Sequence, residues 1–223
     1  MKNLFNVEGK FMDYGTKVAN LIILNFLTIL FSVPIVTIGP ALTAMHYTVF
    51  QIYRDRETSI WRLFWSSFRG NLKEGIAAWG IFLLLGGVLM LNYFFLERGM
   101  VIVPSPLLAL LYYVLLAAGT LVYLSVLSWM FVLLSRYQNS VGRTLKNALL
   151  ISIGKPWKTI EMILLGLLPL AVPLVNMKLL VIPLICGFAV TAFLQVNVYK
   201  KVFLRIETQQ NAAIDAPNEG AGK

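Results

Sequence analysis

The chain has 223 residues, of which 58% are hydrophobic and 13% charged, and its mean hydropathy is +0.76. That is too apolar for a soluble domain, in which about a quarter of residues carry charge. A net charge of +9 would suggest nucleic acid in a soluble protein, but here the basic residues lie between apolar runs, so no nucleic acid is expected and anionic lipid headgroups are the simpler partner.

The first apolar run starts near Val18 and is not followed by a small-x-small cleavage site, so it reads as a retained span and not as a secretory signal. About 20 apolar residues suffice to cross a hydrocarbon core of about 30 Å as a helix. Runs that meet this standard are Val18 to Val36, Ile76 to Phe95, Leu107 to Leu134, Ile160 to Val175 with its flanks (159–177), and Leu179 to Val198. The run Ala41 to Tyr53 covers only about 20 Å at the helical rise, which suits a short span, a tilted one, or half of a re-entrant hairpin. Counting it as a crossing places all of the 19 basic residues except Arg98 and Lys178 on one side, which the positive-inside rule assigns to the cytoplasm. The expected fold is an all-α, polytopic helix bundle of about six spans, forming one domain over 1–207. Both ends are cytoplasmic, and a polar tail over 208–223 is expected to be disordered.

Two cytoplasmic loops have helical patterns of their own. In Thr58 to Lys73, Trp61, Phe64, Trp65, Phe68 and Leu72 share one face, while Arg62, Ser66, Arg69 and Lys73 share another. This predicts an interfacial helix, its aromatic face on lipid or, alternatively, on a cytoplasmic partner. Asn139 to Lys158 is a less regular basic helix, with Val141, Leu145 and Leu149 on one side. It ends at Lys155-Pro156-Trp157, where Pro fits the first turn of a new helix. Ser59-Ile60-Trp61-Arg62 and Ser140-Val141-Gly142-Arg143 hint at a parallel internal repeat.

Groups that could carry chemistry are scarce. Cys186 is the only cysteine and His46 the only histidine, so a disulfide, a thiolate metal site or a triad cannot be built, and His46 reads as a packed or hydrogen-bonded side chain. No span carries an acid, histidine or lysine suited to a proton relay at its centre. What remains is neutral: Asn25, Thr28 and Ser32 form one stripe in the first span, and Gly187, Thr191 and Gln195 another in the last. Such stripes knit helices together or, if they face each other, line a path for a neutral polar solute. Between the first two runs, Pro34 and Gly39-Pro40 should stop the helix and reverse the chain on the extracellular side, giving either a tight turn or a site built from exposed carbonyls.

The segment Ser32-Val33-Pro34-Ile35-Val36-Thr37-Ile38-Gly39-Pro40-Ala41-Leu42-Thr43-Ala44, with Asn6-Val7-Glu8-Gly9-Lys10-Phe11, Asn25 and Phe64-x-x-Ser67-Phe68, resembles the YesL family of bacterial integral membrane proteins. The resemblance runs from Asn6 to Arg205, and its family-like turn residues are Pro34, Thr37, Gly39 and Pro40. It implies a domain of unknown function whose genes often neighbour carbohydrate uptake and polysaccharide degradation systems, and it carries over no catalytic residue. The expected role is a non-enzymatic accessory or component of carbohydrate uptake in the bacterial plasma membrane, without cofactor. The alternative is a small transporter or ligand-binding membrane protein for a neutral polar solute.

Overall fold

The computed structural model describes the backbone of residues 2–55, 59–100, 105–137 and 139–215, and the side chains of 15–55, 59–100, 105–137 and 139–204. Within these ranges the regular secondary structure is helical throughout: α1 (Lys2–Ser32), α2 (Ile38–Tyr53), α3 (Ile60–Gly70), α4 (Leu72–Glu97), α5 (Pro106–Arg136), α6 (Val141–Gly154), α7 (Pro156–Val175) and α8 (Phe188–Asp215). Short 3-10 segments precede α2 and follow α7, and a π-helical turn over Pro183–Gly187 leads into α8. Six helical stretches are long and apolar enough to cross a membrane. The last helix runs to Asp215 and so enters the segment expected to be a disordered tail; residues 216–223 lie outside the described range, as does Arg56. Helix α1 extends as far as Lys2, well ahead of the first apolar run, and includes the Asn6–Phe11 segment, whose side chains lie outside the described range.

Helices α4 and α5 pair as a long antiparallel hairpin. Tyr123 donates to the Phe82 carbonyl (3.2 Å), Tyr112 to Asn92 Oδ1 (2.9 Å), and the hydroxyls of Tyr93 and Thr120 meet at 3.1 Å. Most large apolar side chains of the outer half of the hairpin, Leu84 and Leu107 among them, are exposed, which suits lipid contact. Gly99 closes α4 with φ +64°. At the other end Trp129 of α5 donates to Thr159 of α7 (3.0 Å), and Phe203 of α8 packs edge-on against Trp129 and Tyr137. The start of α4, the end of α5, the start of α7 and the C-terminal part of α8 therefore share one end of the bundle. Pro156 stands in the first turn of α7, as its sequence suggests.

Helix α2 lies across that same end. Near its start, Gly39 touches Gly75, the fourth residue of α4; towards its close, Phe50 meets Arg136, the last residue of α5, and Tyr53 meets Lys200 of α8. Helix α1 runs antiparallel beside it: Lys17 pairs with Asp55 (2.7 Å), and Thr37 is hydrogen-bonded to the Phe31 carbonyl (2.7 Å). The expectation that the chain reverses on the far side is corrected by this contact. The turn abuts the first turns of α4, while the α4–α5 tip lies a further 22 residues along α4, about 33 Å at the helical rise. Of the alternatives for 41–53, this arrangement favours the oblique or re-entrant one.

Two local expectations change as well. Gly39-Pro40 does not break the chain, because Pro40 sits in the first turn of α2, where its missing N–H would have had no partner. The carbonyls of Phe31 and Pro34 are not free to build a site either, since the Thr37 hydroxyl lies 2.7 and 2.8 Å from them. Helix α3 is not a lipid-lying helix with its aromatic face bare. Phe64 and Phe68 are buried, and the rings of Trp61, Phe64, Trp65 and Phe68 surround Phe31 of α1. Trp61 alone of the four is largely exposed, while Arg62 and Arg69 face outward, Arg69 over the Trp65 ring. In α6 the buried face is Thr144, Ala148 and Ser152, flanked by Val141 and Leu145; Leu149 points out. Both α3 and α6 follow a serine and end on a glycine two positions before the next helix, so the two repeat-like segments occupy equivalent places.

A Cβ at Gly39 would overlap the Gly75 carbonyl oxygen and lie 2.7 Å from Trp79 Cβ, and one at Gly75 would lie 2.8 Å from Pro40 N. Gly39 is helical, so the demand is for space and not for positive φ. Gly39→Ala should therefore cost about 1 to 3 kcal/mol through overpacking. Gly80→Ala, with nothing within 4 Å of the new methyl, should be neutral or gain up to about 1 kcal/mol. Thermal melts of the two variants check this, and equal behaviour would remove the crossing as a constraint. The transverse α2 also predicts labelling. In a Cys186→Ala background, an impermeant thiol reagent outside intact cells should reach a cysteine at Met100 but not one at Val36; comparable rates would show that the α1–α2 turn crosses to the far side.

Candidate functional site

The polar stripe of α1 is consumed by structure. Asn25 is fully buried. Its amide donates to the carbonyls of Pro183 (3.1 Å) and Leu184 (2.8 Å), and its Oδ1 accepts from the Ala189 N–H (3.1 Å). The reason lies in α8. A π turn inserts one residue into the helical ladder and displaces backbone groups from their α-helical partners, which in a low-dielectric interior must be paired elsewhere. Pro183 opens the turn and Gly187 closes it, and Asn25 supplies donors and an acceptor together. Thr28 donates to its own helix at Leu24 (2.8 Å), and Ser32 is half-buried at the end of α1. The two stripes thus do not face each other as a shared lining.

Thr191 and Gln195 do reach a cavity. A space of about 260 Å³ lies between α2, α4, α5, α7 and α8, above the face of α2 that carries Leu42, Met45 and His46. Its walls are mainly aliphatic and aromatic, from Leu124, Leu127, Phe131, Met162 and Phe188 among others. Gln195 anchors its amide nitrogen on the Met162 carbonyl (3.0 Å), which leaves its side-chain carbonyl as an acceptor, and Thr191 donates to the carbonyls of Gly187 and Phe188. Gly166 lets this happen, since a Cβ there would lie 3.3 Å from Gln195 Nε2.

Two further lining groups each present a buried nitrogen with no partner among the described residues. His46 Nδ1 and Trp79 Nε1 are both buried without a hydrogen bond. An orphaned buried polar group costs about 1 to 3 kcal/mol, so a pair of them on one cavity wall marks a place where a ligand group would be stabilised. His46 is buried, as its sequence setting suggests, but unsatisfied at Nδ1. Trp79 carries no signal in the sequence, because an indole within an apolar run reads simply as one more hydrophobic side chain. No charged residue lines the cavity, and among the described residues no three His, Cys, Asp or Glu side chains converge as a metal site would require. The chemistry available is hydrogen bonding: an N–H donor from Trp79, an acceptor from Gln195 and a nitrogen of either kind from His46.

Because Asn25 satisfies three backbone groups, Asn25→Ala should destabilise the protein by about 2 to 5 kcal/mol. Thr28→Val, which removes one intrahelical bond and keeps the shape, should cost about 1 kcal/mol or less. Thermal unfolding of the purified variants separates them, and a mild effect at Asn25 would mean that the π turn is satisfied without it.

Residues 21–93, which cover α1 from Leu21 onward, all of α2 and α3, and α4 as far as Tyr93, match the model of a family described as a protein of unknown function, DUF624. No curated protein and no solved structure matches the chain.

Proposed function

We propose that the chain is a non-enzymatic membrane protein that binds a small neutral ligand in the cavity above α2. The observation that carries this is the pair of unpartnered buried groups, His46 Nδ1 and Trp79 Nε1, on the wall of a space otherwise lined by apolar side chains. The ligand is mostly apolar and ends in a hydroxyl. That end accepts from Trp79 and exchanges hydrogen bonds with His46 and Gln195, while its body packs on Leu, Met and Phe side chains. A free sugar suits the space poorly, since every hydroxyl taken from water needs a partner and the walls offer few.

The resemblance to the YesL family supports a finer reading: an accessory of carbohydrate uptake in the bacterial plasma membrane, with both ends cytoplasmic. On that reading the cavity ligand is a regulator or a structural lipid fragment, and the transported sugar is handled by a partner. The basic outer face of α3, with Arg62, Arg69 and the exposed Trp61, offers that partner a surface.

The test uses the protein in nanodiscs with 1-decanol, decane and glucose as probes. 1-Decanol should raise the melting temperature and the other two should not, and Trp79→Phe and His46→Phe should each remove most of the gain. An equal shift in the wild type and both variants would place the alcohol in the bilayer and not in the cavity, and would end the proposal.

A further inference from the structure

Helix α6 carries an outward face that no described residue covers. Its other side, with Thr144, Ala148 and Ser152, is buried. On the outer face Arg143 and Lys146 are exposed near the start of the helix, and Leu150 (57% exposed) and Ile153 (69%) near its end. Lys155 and Trp157 (78%) stand out from the corner where α7 begins. The stretch 139–160 contains no acid, and Glu161, which follows it, is held by Lys158 at 2.7 Å. No carboxylate pairs with Arg143, Lys146 or Lys155, so three exposed cations are left to meet an anion from outside the chain.

Two sets of contacts fix how α6 lies. Asn139 donates its N–H to the Tyr137 carbonyl (2.9 Å), so the chain enters α6 within a few residues of the end of α5. Near the close of α6, the Ser152 carbonyl meets the Thr159 hydroxyl (3.3 Å), which in turn accepts from Trp129 of α5 (3.0 Å). Trp129 lies seven residues before the end of α5, about 10 Å back along it at the helical rise. Helix α6 therefore descends obliquely beside α5, and its outer face changes from cations to aliphatic side chains in the same direction. From Trp157 an exposed apolar strip continues through Ile160 and Leu164 at helical spacing, along a stretch long and apolar enough to cross a membrane. A soluble partner could cover the cations, but not a strip that runs on into the bilayer.

We propose that α6 and the corner after it dock onto an anionic phospholipid leaflet, with Arg143, Lys146 and Lys155 on lipid phosphates and Leu150, Ile153 and Trp157 among the upper acyl chains. An amphipathic helix at the interface gains both from apolar area placed below the headgroups and from cations held beside anionic lipid. An indole suits the same boundary. Helix α3 carries similar cations, but its aromatic face is turned to Phe31, which leaves α6 as the helix with both halves of the signal bare. None of the six residues lines the apolar cavity, so the proposal is separate from the ligand reading.

The experiment takes the full chain in phosphatidylcholine nanodiscs, with and without phosphatidylglycerol. In a Cys186→Ala background, an environment-sensitive fluorophore is attached through Ile153→Cys. Brominated phosphatidylcholine should quench it about twofold more strongly than aqueous iodide, or better. Phosphatidylglycerol should raise the melting temperature of the wild type, and less so as salt is increased. Arg143→Gln, Lys146→Gln and Lys155→Gln combined should remove most of that gain. Arg62→Gln, Arg69→Gln and Lys73→Gln combined, an equal loss of exposed charge around α3, should keep it. Melting in phosphatidylcholine alone shows whether each combined variant is folded, and the fluorophore arm decides without them. Stronger quenching by iodide than by brominated lipid would place water or a soluble partner on this face and overturn the proposal. So would the absence of any gain in the wild type, a gain that the α6 variant retains, or one that both combined variants lose alike, which is the mark of net charge and not of a site.

Discussion

Two glycine backbones in contact fix the rest of this molecule. Where Gly39 meets Gly75, α2 comes so close to the first turns of α4 that no side chain can separate them. Close approach of this kind lets helices associate in a membrane, where apolar side chains gain little from leaving lipid. It holds the start of α2 at one end of the bundle, and Tyr53, beside Lys200, holds its close at the same end. A helix tied at both ends in this way becomes a partition. Met45 and His46 face one compartment, and Tyr47 and Phe50 face the other, although they follow one another in the chain.

The other side of the apolar compartment depends on a different device. Pro183 has no N–H to give to the helical ladder, and the π turn that it opens leaves backbone groups to be paired from outside. Asn25 pairs them with one planar amide, which ties α1 to α8 at a depth where water is absent. The turn also sets the position of Thr191 and Gln195, one and two helical turns beyond it, on the cavity wall. An asparagine spent on architecture thus places the glutamine that remains available for a ligand.

Hydropathy made the helical class readable, because apolar runs near bilayer length have few other uses. It could not show where α2 lies, since a transverse buried helix and a short crossing helix share the same composition; what separates them is contact between residues 36 positions apart, Gly39 and Gly75. The aromatic face of α3 illustrates the same blindness. Its periodicity correctly marks a face that leaves water, but lipid and Phe31 are equally apolar, so pattern alone cannot choose between them. The stripes were legible as stripes and misleading as a site. An amide reports that it needs partners, not which ones, and Asn25 finds them in a broken helix 158 residues away. Of the cavity, Thr191 and Gln195 could be named in advance, and His46 only as a packed side chain. Trp79 could not be named, because the polar edge of an indole is invisible in an apolar run. The compartment on the other side of α2 gathers side chains from α2, α3, α5 and α8, and no spacing along the chain announces that convergence.

Electrostatics explains why the two compartments differ in kind. A bare charge beside the apolar cavity would face a large desolvation cost, and the cavity accordingly carries only dipoles: an indole, an imidazole and an amide. At the end of the bundle Arg54 is exposed and Arg136 half-buried, each guanidinium over the Phe50 ring, so these charges are held where water still reaches them. Dipoles thus line the interior space, and the guanidinium groups stay at the edge. Helix α2 forms one wall of each, with adjacent residues, His46 and Tyr47, turned to opposite sides.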